Sequence, residues 1–163
     1  MSINERPLRT LEDSRTEQTH LLRYEDINGE NRLFGGKLVS WIDEVAGIVA
    51  KRHAGGIKVT TASIDHLQFK HPAKLDDLIV IIGYVTYVGN TSMEVRVDTY
   101  LETDDGLRHS INRAYITLVC LDENSRPCQI PYGIQIETES QKGEFESALK
   151  RIEYRKMRQK EGF

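Results

Sequence analysis

The residues whose types and spacing could support chemistry gather in one stretch of this 163-residue chain, positions 28–53. Turned through about 100° per residue, positions 36–53 put Leu38, Ile42, Val45, Ala46 and Val49 on one side and Lys37, Ser40, Glu44 and Lys51 opposite. The two adjacent acids therefore differ. Glu44 falls in the middle of the polar face, where a solvated surface acid is the plain expectation. Asp43 falls on the seam, beside Val39 and Ala50 and one turn before Gly47. A carboxylate at the margin of a buried face loses part of its hydration, which suits it to act as a general base or nucleophile. The same position also suits a plain ion pair with a neighbouring cation, and the helical pattern leaves both open. Ahead of it, Gly35 and Gly36 leave backbone N–H groups bare at a helix start, a donor site for an oxyanion or carbonyl oxygen. Asn28 lies in the turn-rich residues that lead in, and Asn28-Gly29 is in itself a favoured turn pair.

The elements that must hold these groups follow from the rest of the chain. Residues 1–18 are polar and without period, which predicts a frayed or loosely docked arm. A short strand is expected over 19–24 and the helix over 36–53, with Gly55 and Gly56 as its stop. Residues 57–70 read as a long strand whose apolar phase slips: Ile57 and Val59 keep one phase, Ala62 and Ile64 the other, and Leu67 and Phe69 return to the first. Such a slip predicts a bulge that bends the sheet. Residues 77–88 are nearly continuous β-former, as in a strand covered on both faces. The next strand alternates Met93, Val95, Val97, Thr99 and Leu101 with Glu94, Arg96, Asp98, Tyr100 and Glu102, a half-exposed pattern. The last long strand covers 108–121. A second helical pattern covers 139–160, with Phe145, Leu149 and Ile152 on one face and its remaining length solvated. The fold class is α+β, a curved antiparallel sheet wrapped around one long helix, with three parts: arm 1–18, domain 19–133 and charged helical tail 134–163. Free sheet edges and much apolar strand surface favour at least a dimer.

Composition narrows the partners. The chain is 39% hydrophobic and 29% charged with a net charge of −3, so no global field draws nucleic acid. From Gly143 onward the tail carries six cations (Lys150, Arg151, Arg155, Lys156, Arg158, Lys160) but interleaves them with Glu144, Glu146, Glu153 and Glu161, which reads as a solvated helix rather than a nucleic-acid patch. No apolar run is long enough to cross a bilayer and the N-terminal residues have no apolar core, which predicts a cytoplasmic protein without a membrane partner. Cys120 and Cys128 are then expected as reduced thiols. The five histidines and two cysteines show no metal-ligand spacing, so no metal is expected, and His53 reads as a core or interface histidine. No Walker A, Gly-x-Gly-x-x-Gly or Gly-x-Ser-x-Gly pattern occurs.

Several segments together are identified with a known family. Asn28, the run from Leu33 through Gly36, Trp41-Ile42-Asp43-Glu44-Val45-Ala46-Gly47, Val59-Thr60-Thr61-Ala62-Ser63-Ile64-Asp65, Gly89-Asn90-Thr91-Ser92-Met93-Glu94-Val95 and Ala114-Tyr115-Ile116-Thr117-Leu118-Val119 resemble the hotdog-fold acyl-CoA thioesterases, in particular bacterial relatives of the brain cytosolic acyl-CoA hydrolase. The similarity covers about residues 19–133. The resemblance implies a five- or six-stranded sheet around the helix, dimers joined edge to edge, and a trimer of dimers with active sites between subunits. It puts the family's catalytic aspartate on Asp43, its catalytic asparagine on Asn28 of the opposite subunit, and its carbonyl-polarising N–H on Gly36. It further implies that Gly35, Thr60, Gly89, Asn90, Thr91 and Ser92 contribute to substrate binding, with Arg96 or the tail cations against the phosphates. No cofactor is implied, since coenzyme A belongs to the substrate. The expected activity is hydrolysis of acyl-CoA to fatty acid and CoA; the alternatives are a non-catalytic acyl-CoA sensor of the same fold, or a dehydratase, which would want a His–acid pair.

Overall fold

The computed structural model describes residues 5–163. Helix α1 spans Gly35–His53 and buries Leu38, Trp41, Ile42, Val45, Ala46, Val49 and Ala50, the stripe its period requires. It stops where expected, with the Gly55 and Gly56 N–H groups donating to Arg52 O and Lys51 O and both glycines at positive φ.

The stripe is buried against a five-stranded sheet of β2 (Thr16–Leu21), β3 (Lys58–Asp65), β4 (Leu78–Val88), β5 (Ser92–Glu102) and β6 (Arg108–Leu121). Their spatial order is β2-β4-β5-β6-β3, every neighbouring pair antiparallel, so β2 and β3 are the two edges. The helix comes close to the sheet because Gly83 has no side chain: a Cβ there would lie 2.7 Å from Val45 Cγ1 and 3.1 Å from Val49 Cγ2. The phase slip in β3 is a true irregularity, with the register shifting between Thr61 and Ser63. The strand ends at Asp65, well short of position 70, and His66 turns out of it at a φ of 61°. Cys120 is buried and Cys128 half-buried, both free thiols, and burial raises the Cys120 pKa to about 11.

Three further expectations are refined. The strand of residues 19–24 begins at Thr16 and ends at Leu21, and a 3₁₀ turn at Tyr24–Asp26 follows it. Of the two states expected for the arm, frayed or loosely docked, its described part takes the docked one. Arg6 is 5% exposed and donates to Gly89 O and Ile130 O, while β1 (Leu8–Arg9) pairs in parallel with β7 (Gly133–Ile134); residues 1–4 lie outside the described residues. Strand β5 is not half-exposed, since Glu94 is 1% and Asp98 3% exposed.

The cause is α2, Glu139–Glu161, which lies on the sheet face opposite α1. It is capped by Thr138, whose hydroxyl accepts the Gln141 N–H. It docks through buried Ala148, a ring contact of Phe145 with Tyr87 and a buried ionic network. Leu149 stays 45% exposed, whereas Arg151 binds Glu94 and Glu144 at 2.8 and 2.9 Å and stacks over Tyr115 at 3.6 Å. Arg96 joins Glu144 to Asp98, and Arg113 closes the chain on Asp98 at 2.6 Å. Burial disfavours the Glu144 charge, but the two guanidiniums outweigh it and hold its carboxyl below the usual range.

Candidate functional site

Asp43 is half-buried near the middle of α1, and its Oδ1 accepts a hydrogen bond of 2.6 Å from the Thr61 hydroxyl. That is the length of a charge-assisted O–H···O⁻ contact, and it fixes the carboxylate toward the open edge strand β3. Alternation in β3 decides which threonine does this. Thr61 stands opposite Leu118 of the core, while Thr60 stands opposite Val119 on the outer face. The hydroxyl that reaches the acid is therefore one residue beyond the one singled out in the sequence.

The helix start is built from the loop before it. Phe34 N–H donates to Asp26 O, Asn28 N–H to Arg32 O, and Leu33 N–H to Ala73 O, which fold residues 26–34 into a closed loop against the helix. Asn28 Oδ1 accepts the Glu30 and Arg32 N–H groups at 2.9 and 3.2 Å, leaving its Nδ2 with no partner among the described residues. The Gly35 and Gly36 N–H groups likewise have no carbonyl acceptor among the described residues, as the first turn of a helix dictates. A Cβ at position 36 would lie 2.7 Å from the Phe34 ring, so a side chain there would push that exposed ring aside.

Asn28 and Gly35 share a cleft of about 440 Å³ with Leu33, Leu38, Phe69 and Ile111, rimmed by Arg32, Lys70 and His71. Phe69, in its lining, is 56% exposed. Asp43 is not in its lining. Asp43 lies eight helical steps beyond Gly35, a rise of about 12 Å. Within one chain the donors and the acid are two separate half-sites, the first at the helix start and the second beside an unpaired sheet edge.

Gly89, Asn90, Thr91 and Ser92 come together in a different cleft of about 470 Å³ on the outer face, with Ser63, Thr117 and Val119 as its floor and Ile152, Arg155, Lys156 and Gln159 of α2 as its wall. Ser63 and Thr117 are register partners, and the hydroxyls of both are buried without a hydrogen-bond partner among the described residues. Of the cations expected near phosphates, Arg96 is committed to Asp98 and Glu144. Arg155 is held by Asp65 but still lines this cleft, beside Lys156. His53 is fully buried, with Nδ1 3.4 Å from the Ser14 hydroxyl, and burial lowers its pKa to about 4. Reasoning from the sequence missed Thr61, Ser63 and Thr117; the phase slip was the one signal that two of them flank a bulge.

The thioesterase superfamily model matches residues 30–107. The uncharacterized acyl-CoA thioester hydrolase YkhA of Bacillus subtilis is 38% identical over 136 residues, covering 83% of this chain and 78% of that protein. The acyl-CoA hydrolase of Staphylococcus aureus, solved in complex with butyryl coenzyme A, coenzyme A and coenzyme A disulfide, is similar with a TM-score of 0.89 at 32% identity, over 96% of this chain and 94% of that one. A hexameric acyl-CoA thioesterase solved in its apo form has a TM-score of 0.88 at 38% identity, over 93% of this chain and 97% of that one.

Proposed function

The chain belongs to the thioesterase superfamily, with the hotdog fold of its acyl-CoA hydrolases, and on that premise we propose how its residues divide the hydrolysis of acyl-CoA between two copies. A thioester carbonyl is electrophilic and its thiolate leaves readily, so the reaction needs a base or nucleophile, a directed water and donors for the developing oxyanion. The Gly36 N–H, with that of Gly35, receives the carbonyl oxygen. The free Nδ2 of Asn28 lies on the same cleft and orients the water against the carbonyl. Asp43 of a second copy completes the site, activating the water or attacking the carbonyl itself, with Thr61 holding its carboxylate.

The observation that carries this reading is the division of groups just described: bare donors at the helix start, and an oriented acid more than two turns away at an exposed strand edge. Strand β3 exposes Lys58, Thr60, Thr61 and Ala62, an edge open to antiparallel pairing with a second copy. We assign a dimer as the minimum unit and a trimer of dimers as the assembly, in line with the hexameric relative. The outer cleft, with Gly89, Asn90, Thr91 and Ser92 on its face and Lys156 and Arg155 on its wall, is assigned to the coenzyme A portion of the substrate; Thr60 lies on the same sheet face, opposite Val119, but outside the cleft's lining. Coenzyme A enters as part of the substrate. Among the described residues no helix is long and apolar enough to cross a membrane. A cytoplasmic location is proposed on the likeness to a relative named as a cytosolic hydrolase.

The test is release of free thiol from acyl-CoAs of short to long chain. The wild type turns over, while Asp43→Ala and Asn28→Ala each lose about 100-fold or more in kcat and keep their assembly. A wild type that binds acyl-CoA and releases no thiol would refute the assignment.

A further inference from the structure

We infer that Asp26 is the positioning residue that sets the Asn28 amide against the Gly35 and Gly36 N–H groups, an inference that rests on the roles proposed above for those three. A carboxylate in a surface loop is normally solvated, yet Asp26 is only 5% exposed. Every polar group it owns is engaged. Its Oδ2 accepts the Arg23 N–H at 3.0 Å and its Oδ1 meets Lys37 Nζ at 3.2 Å. Its own N–H donates to Arg23 O at 3.0 Å, and its carbonyl accepts the Phe34 N–H at 2.8 Å.

These contacts run in two directions. Arg23 belongs to the stem of the loop that carries Asn28, two residues past Asp26; Phe34 is the N-cap of α1 and Lys37 lies in its first turn. One buried residue thus clamps the two segments that carry the unpartnered donors. The cation is held in turn, since Lys37 Nζ sits 5.6 Å over the ring of buried Trp41, against which His20 also stacks. Burial works against the Asp26 charge, but the Arg23 N–H and Lys37 outweigh it and keep the carboxyl below its ordinary range. An acid near the bare end of a helix is also favoured by the helix dipole. Asp26 lies outside the lining of the cleft that holds Asn28 and Gly35, so it acts through them.

The experiment is a double-mutant cycle on the full-length protein, reading kcat and KM by thiol release and the melting temperature alongside. Asp26→Ala is expected to lower kcat about 10-fold or more with KM within about 3-fold, and Asp26→Asn, which keeps an acceptor for Arg23 N–H, to lose less. In the Asn28→Ala background the same Asp26→Ala change costs about 3-fold or less, because the group it positions is already gone. Equal fold-losses in both backgrounds, or an Asp26→Ala enzyme with wild-type kcat, overturn the proposal. Should Asp26→Ala not fold, Asp26→Asn and Lys37→Met carry the same cycle. If Asn28→Ala keeps wild-type turnover, the role of Asn28 fails and this inference with it; if Asn28→Ala is impaired and the Asp26 variants are not, only this inference fails.

Discussion

Replacing Thr61 by valine tests whether the hydroxyl found on Asp43 is part of the machinery. The contact is 2.6 Å between oxygens, in the range of a hydrogen bond to an ionised acceptor. Hydrogen bonds to charged groups are worth about 1.5–3 kcal/mol, and at about 1.4 kcal/mol per factor of ten this spans about 10- to 150-fold in rate. Thr61 is exposed at the sheet edge within one chain, so solvent competes for both oxygens and the lower end applies: kcat should fall about 10-fold in Thr61→Val. Thr61→Ser keeps the hydroxyl and most of the rate. Thr60→Val, on the other face of the strand, leaves kcat unchanged. The assay is thiol release under saturating acyl-CoA, with the assembly checked by size-exclusion chromatography. A Thr61→Val enzyme within about 2-fold of wild type, or a larger kcat loss in Thr60→Val than in Thr61→Val, would refute the argument from strand alternation.

Two further outcomes follow from the buried charges. Arg151→Met leaves Glu94, 1% exposed, without its guanidinium, and breaking such a pair costs about 3–5 kcal/mol, or about 6–20 °C of melting temperature at this chain length. Glu94→Gln together with Arg151→Met should recover most of that loss; a scan with no recovery would show that α2 is held by something other than this pair. His53 is buried neutral with its pKa lowered from 6.5 to about 4, so the unfolded chain binds its proton first. Its contribution is complete above pH 6.5 and is lost as the pH falls toward 4, up to about 3 kcal/mol in all. His53→Gln should flatten that segment of a stability-versus-pH curve measured by urea denaturation.

How far the sequence was legible depends on how local each cause is. The α1 stripe and the seam position of Asp43 follow from a period of 3.6, and the two glycines at each end of the helix act within a turn of where they stand. The β3 slip predicted the bulge for the same reason. What was missed is set by partners far along the chain. Glu94 and Asp98 alternate like solvent-facing residues, and only Arg151, 57 residues on, and Arg113 explain why they are buried. Arg6 anchors the supposed arm by reaching Gly89 and Ile130. Thr60 and Thr61 differ by one residue, which in a strand is the difference between two faces, and that parity depends on the register with β6. Asn28 reads in isolation as a turn former, and it is one; its free Nδ2 becomes visible only when the loop closes on the helix start.

The shared site is tested most directly by complementation between inactive copies. Asn28→Ala and Asp43→Ala protomers, each inactive alone, are unfolded and refolded together in equal amounts, and thiol release is measured. If each site takes its amide from one copy and its acid from the next, random pairing gives mixed dimers with one intact site, and about a quarter of wild-type activity returns. A mixture no more active than either variant alone, in assemblies shown to contain both, would contradict the account.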